Sequence, residues 1–145
     1  MAGSGDRNDP YSAFNFLLEI DGMDVAGFSE CSGLTTETDV IEYRNGDEDI
    51  TVRKLPGLKK FTNISLKRGW TQDSSLWEWR KTVMDGATER RGGSIVLLDE
   101  GRNEALRWTF REGWPTKLEG PSFNAKNSEV AIETLELAVE GLVLE

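Results

Sequence analysis

The chemistry open to this chain is narrow, and most of it is ionic. The stretch RNGDEDITVRKLPGL (44–58) sets three consecutive acids, Asp47, Glu48 and Asp49, a few residues before two bases, Arg53 and Lys54. Contiguous carboxylates lack the spaced oxygen ligands of a calcium loop, and Asp99-Glu100 lacks them too. What the pattern offers is ion pairing. It reads either as the solvated tip of a hairpin or as an arm built to grip another surface.

Catalytic constellations are hard to assemble from what remains. The chain has no histidine, which removes Ser-His-Asp and Cys-His nucleophiles, His-based metal cages, and the side chain that titrates near neutrality. A hydrolase built on carboxylates would need two inward-facing acids with raised pKa values in an apolar segment. The sequence shows no such segment. The single cysteine, Cys31, rules out an intrachain disulfide and a Cys-pair metal site, and beside Phe28 it reads as a small buried hydrophobe. Gly3-Ser4-Gly5 and Gly92-Gly93 lack the Lys-Ser/Thr and the strand-to-helix setting of a phosphate loop, and read as turns.

A net charge of −9, from 26 acids and 17 bases, argues against nucleic-acid binding, which needs a basic face. The charge is segregated. Residues 1–50 hold 12 acids and 2 bases, 51–95 hold 4 and 10, and 96–145 hold 10 and 5. Either these segments form complementary patches that orient self-association, or folding intermixes them. No apolar run reaches the roughly 18 residues that a spanning helix needs, and MAGSGDRNDPY has no apolar region behind a basic one. The expectation is a soluble chain made in the cytoplasm without a signal peptide or membrane anchor.

The elements that must carry these residues are mostly strands. Residues 1–9 read as a flexible tail, and 10–145 as one domain, which a chain of 145 residues fits. Phe14, Phe16, Leu18 and Ile20 alternate with polar residues, and Asp21-Gly22 turns the chain into a weaker strand with a bulge at Gly27, the two together making a first hairpin. TTETDVIEYR predicts a third strand, after which Asn45-Gly46 signals a hairpin with DITVRKL as its return. Adjacent like charges at 47–49 start a ladder poorly, so an arm leaving the body is the alternative. Lys60 to Gly69 alternates again. Leu76, Trp79 and Val83 fall at helical spacing, with a capping box at Ser75/Glu78 and a C-cap at Gly86; Trp77 and Trp79 are expected to pack in the core. SIVLLDE and EALRWTFREGW predict a second hairpin, and WPTKLEGPSFNAKN a long connection. The last segment, SEVAIETLELAVEGLV, would span roughly 50 Å as one strand at about 3.3 Å per residue, longer than a domain of this size. Either a bulge breaks it, or its end lies on a neighbour. The sum is a mainly β chain, a sandwich or partly open barrel of about seven or eight strands with one flanking helix.

Five blocks, DPYSAFNFLLEIDG, AGFSECSGLTTETDVIEYRNG, VRKLPGLKKFTNISLKRGWT, LWEWRK and VAIETLELAVEGL, resemble in that order the tail-tube family of contractile phages. They are most similar to the inner-tube proteins of phage-derived extracellular contractile injection systems. The resemblance runs from Asp9 to Leu142; Val139 stands where the family often has a histidine. It implies homohexameric rings whose inner strands join into one lumen barrel, stacked into a rigid tube inside a contractile sheath. Baseplate and tube-terminating cap proteins would be partners, and protein cargo or DNA would pass through the lumen without specific binding. No catalytic residue, cofactor or metal is implied. The stretch 44–58 becomes an extended arm, with Asp47, Glu48, Asp49, Ile50, Arg53, Lys54, Leu55 and Pro56 at a subunit interface and its acids and bases as two halves of the contact. Glu129, Glu133 and Glu136 are lumen candidates. Outside the family, the runner-up is a β-barrel that binds a small apolar ligand.

Overall fold

The computed structural model describes residues 15–23, 27–44, 46, 50–69, 73–123, 125–126 and 131–145; the expected tail at 1–9 lies outside them. Among the described residues there are nine strands and one helix: β1 (Phe16–Ile20), β2 (Phe28–Ser32), β3 (Thr36–Tyr43), β4 (Arg53–Phe61), β5 (Ile64–Gly69), α1 (Ser75–Met84), β6 (Arg91–Leu98), β7 (Glu104–Glu119), β8 (Ile132–Ala138) and β9 (Gly141–Leu144). Seven strands form one antiparallel hydrogen-bonded path, β1-β6-β7-β8-β5-β2, with β9 also on β7. The path is not closed into a barrel, and β3 and β4 form a separate two-stranded sheet.

The strand that links the two wings is β7. Its first half pairs with β6 and β9, its second half with β8, and at 16 residues it is the longest of the described strands, turning at Glu112, whose φ is positive. The length expected of the final segment thus belongs to β7. The final segment itself is broken at 139–140 into β8 and β9. Residues 114–119, expected in a connection, continue β7 through buried Pro115. The proline is tolerated because the pairing with β8 shifts register there.

Alternation along the strands fills one core from both wings. Leu18, Ile20, Ile95, Phe110 and Leu142 from the first wing meet Ile64, Leu66, Leu135 and Leu137 from the second, with Leu76 and Trp79 of α1. Ile64, Leu66 and Leu137 have no exposed surface, so the interior is occupied by side chains. Gly92 and Gly93 are not a turn but lie within β6. A Cβ on Gly93 would stand 2.6 Å from the Phe110 ring, and one on Gly113 2.8 Å from it. The ring lies where two side chains would otherwise be.

The first expected hairpin does not form. The Asp21-Gly22 turn is present, with Gly22 at positive φ and Met23 N–H bonded to the Ile20 carbonyl at 3.0 Å, but β1 goes to β6 and β2 to β5. The helix ends as expected. Gly86 N–H donates to Val83 O and Ala87 N–H to Thr82 O, at 3.1 and 2.9 Å, a paired closure around a left-handed glycine. At its start, Asp73 replaces the expected capping box: its Oδ1 accepts Ser75 N–H at 3.0 Å. Trp79 is buried, whereas Trp77, two residues away and on another face, is half exposed.

A charged row closes one end of the core. Arg68 on β5 stands in register between Phe28 on β2 and Glu133 on β8, and it is 2% exposed. Its Nε donates to Glu133 Oε1. Its Nη1 lies 3.4 Å from Asp73 Oδ2 and its Nη2 donates to the Asp73 carbonyl at 3.3 Å, while the guanidinium lies 5.6 Å from the Phe28 ring centroid. The Ser75 hydrogen bond, helped by Arg68, holds the Asp73 carboxyl below its ordinary range.

In the separate hairpin, Glu42 faces Lys54, Glu37 faces Lys60 and Tyr43 faces Arg53; Lys60 Nζ also lies 3.0 Å from Asp39 Oδ1. Folding therefore intermixes the acidic and basic segments here.

Two outcomes test these contacts. Removing one partner of the buried pair strands the other charge, so Glu133→Ala should cost about 3–5 kcal/mol in urea unfolding. The double variant Arg68→Met/Glu133→Leu should cost less than either single change. In the hairpin, Lys54→Glu places two carboxylates in opposite register and should weaken the pairing by about 0.2–1 kcal/mol. Amide exchange in β3 should report this, and Glu42→Lys added to it should restore protection.

Candidate functional site

The functional surface has to be sought among exposed groups, because the buried ones are structural. Among the described residues no three His, Cys, Asp or Glu side chains are grouped to hold a metal ion. Burial pushes the Cys31 thiol up to about 11, so at neutral pH it is protonated and a poor nucleophile.

The β3–β4 hairpin is the part least accounted for by its own chain. β3 and β4 pair with each other as expected of a hairpin, in a two-stranded sheet separate from the main one. Its strands reach well beyond 44–58, from Thr36 to Phe61. Asp47, Glu48 and Asp49 lie outside the described residues. Ile50 is 88% exposed, and Arg53, Lys54, Leu55 and Pro56 all lie on β4 and are exposed.

Strand pairing sorts these side chains onto two faces. Ile41 opposite Leu55 and Tyr43 opposite Arg53 share one face; Val40 opposite Pro56 and Glu42 opposite Lys54 share the other. Ile41, Tyr43 and Leu55 are each about half exposed, Val40 and Leu58 more so. The charges hold register along the strands, while the apolar groups remain uncovered. Lys54 stands in register with Glu42 of its own hairpin. Clusters of exposed aliphatic groups mark contact surfaces on soluble domains.

The lumen candidates separate. Glu129 lies outside the described residues. Glu133 shares the inward parity of Leu135 and Leu137, is 4% exposed and is bound to Arg68, so its carboxylate does not reach an open face. Glu136 has the opposite parity, is half-buried, and accepts Asn63 Nδ2–H at 2.8 Å. It belongs to two polar cross-strand rows on the outer face of the second wing, Glu30–Lys67–Thr134–Glu119 and Ser32–Ser65–Glu136–Lys117. Opposite charges there are paired, Lys67 with Glu30 at 3.5 Å and Lys117 with Glu119 at 4.0 Å. The first wing has a corresponding outer contact, in which Arg107 reaches Glu19 at 3.0 Å and Glu104 at 2.7 Å, and the hydrogen bond lowers the Glu104 pKa.

The Arg68–Glu133 pair is the feature that sequence reading missed. A signal was present: Arg68 continues the parity of Ile64 and Leu66, and Glu133 that of Leu135 and Leu137. Two opposite charges with core parity on two strands point to a buried pair.

Comparison with known proteins now bears on this geometry. A chain in the extended-state sheath–tube complex of PVC, an extracellular contractile injection system, is 25% identical, with 94% of this chain and 91% of that chain covered and a TM-score of 0.84. A chain of the anti-feeding prophage (AFP) tube-terminating cap is 27% identical, with 100% and 99% covered and a TM-score of 0.86. Hcp1 from Flavobacterium johnsoniae, at 18% identity, 89% and 93% coverage and a TM-score of 0.56, shares the fold. No similar protein of curated function was found. The sequence model described as the T4-like virus tail tube protein gp19 matches residues 12–143. The chain belongs to that tail tube family.

Proposed function

We propose that this chain is the inner-tube subunit of a contractile injection system, forming homohexameric rings that stack into a tube within a sheath. The observation that carries this reading is the end-to-end likeness, at 25% and 27% identity, to chains in the PVC sheath–tube complex and the AFP tube-terminating cap. Sheath, baseplate and cap proteins are then its partners. The particle is assembled in the cytoplasm and released with cargo carried in the lumen.

Physical features support the same reading. Residues 10–145 act as one unit, in which the open sheet ends and the exposed hairpin need cover from other copies. In a ring such contacts are heterologous, one surface of each copy meeting a different surface of the next. The polar outer face bearing Glu136 suits a wet lumen. Its paired charges leave little net field, so passing cargo is neither held nor strongly repelled.

Negative-stain microscopy of the concentrated protein, alone and with a cap or baseplate partner, should show six-fold rings or tubes; a monodisperse monomer under all these conditions would sink the proposal. Ile41→Ser/Leu55→Ser should leave monomer stability within about 0.5 kcal/mol, as exposed substitutions do, and should abolish rings and tubes.

A further inference from the structure

β7 crosses from one wing to the other at a strained residue. Glu112 has a φ of 55°, in the left-handed region that side chains other than glycine rarely adopt. On β6 two steps separate Arg91 from Gly93, whereas their register partners on β7, Gly113 and Phe110, are three apart. β7 therefore carries one extra residue there, a bulge that bends the strand. The strands beside it are interrupted at the same level: β8 ends at Ala138, β9 starts at Gly141, and Glu140 N–H donates to Arg111 O at 3.1 Å. Among the described residues β7 alone is hydrogen-bonded to strands of both wings. We propose that this seam is a hinge, at which Glu112 exchanges between its left-handed state and ordinary extended backbone and so sets the angle between the wings.

The exchange breaks little. The extra residue of a bulge lies outside the ladder, and Glu112 is exposed. Relief of the backbone on leaving the left-handed region offsets packing lost as the wings part, which brings the two states close in free energy. What the angle controls lies on the opposite side of the molecule. β1 and β2 end the sheet, and between them is a groove of about 320 Å³, walled by Phe16, Leu97 and Trp108 from the first wing and by Ser29 and Cys31 from the second. No strand among the described residues bonds across it. Straightening β7 swings these walls apart and uncovers their apolar side chains, whereas the bend seen here keeps them close and buries Cys31 enough to hold its thiol protonated. The chain thus has a narrow-groove and a wide-groove form, a property of the single copy that does not depend on the tube-subunit reading.

Spin labels on the outward faces report the angle. In a Cys31→Ser background, Leu17→Cys on β1 and Ser32→Cys on β2, both outside the groove lining, form a pair across it. Leu17→Cys with Val143→Cys forms a control pair within the first wing. Each is measured by double electron–electron resonance in a large excess of unlabelled protein, so that only distances within one copy are read. The expected result is two distances across the groove and one in the control. Glu112→Gly removes the cost of the left-handed state and should collapse the pair onto the shorter distance; Glu112→Val, whose branched side chain disfavours that state, should collapse it onto the longer. With only the native Cys31 present, a thiol reagent should react severalfold more slowly in Glu112→Gly and severalfold faster in Glu112→Val. A single distance across the groove that neither substitution moves would overturn the inference. Two distances that neither substitution shifts would put the motion elsewhere and overturn it as well. Should Glu112→Val not fold, the unsubstituted pair and Glu112→Gly decide alone.

Discussion

The second wing is organised around a charge held out of water. Arg68, 2% exposed, is tolerated in the core because every side of its guanidinium is met: Glu133 across β8, Asp73 beyond the strand end, and the Phe28 ring across β2. Taking both ions out of water costs several kcal/mol each, and only close, hydrogen-bonded geometry offsets that cost. The pair therefore selects one alignment. A slip of β8 by one residue would turn Glu133 outward and expose Leu135 and Leu137. The same contact fixes the start of the helix, since Asp73 binds Arg68 and accepts the first helical N–H.

The first wing depends on a close approach. The Phe110 ring rests on Gly93 and Gly113, so β6 and β7 can carry a large aromatic at the centre of the core without being pushed apart. From there β7 continues past Pro115 to pair with β8, carrying the chain from one wing to the other. The cost of this architecture is an open path, with β1 and β2 at its ends. Edges left open among the described residues and an exposed hairpin are hazards in a solitary domain and would be connectors in the proposed tube.

Most of the strands were legible in the sequence because alternation is a local signal. Phe16, Leu18 and Ile20, or Leu106, Trp108 and Phe110, declare a strand without reference to anything distant. The failures share one cause: they depend on what lies across the sheet. Gly92-Gly93 resembled a turn until the Phe110 ring explained the missing side chains, and Pro115 resembled a strand end until its register shift was visible. Asp21-Gly22 marked a real turn but could not specify which strands its flanks would join. Of the candidate site residues, the apolar ones at 50, 55 and 56 are exposed on or just before β4, whereas Glu133 is buried, and its parity had not been compared with that of Arg68. The resemblance of five ordered blocks carried the family; the individual contacts could come only from the fold.

The internal pairing of the hairpin has a kinetic consequence. Because Glu42 faces Lys54 and Glu37 faces Lys60 within one copy, the register of the two strands does not wait for a partner. In the proposed tube, addition of a subunit would then require docking without folding, its rate governed by encounter between copies that each carry a net charge of −9. Salt shortens the range of that repulsion to about 8 Å at physiological ionic strength. Growth of such a tube would thus be sensitive to ionic strength at the encounter step, while the shape of what is added stays the same.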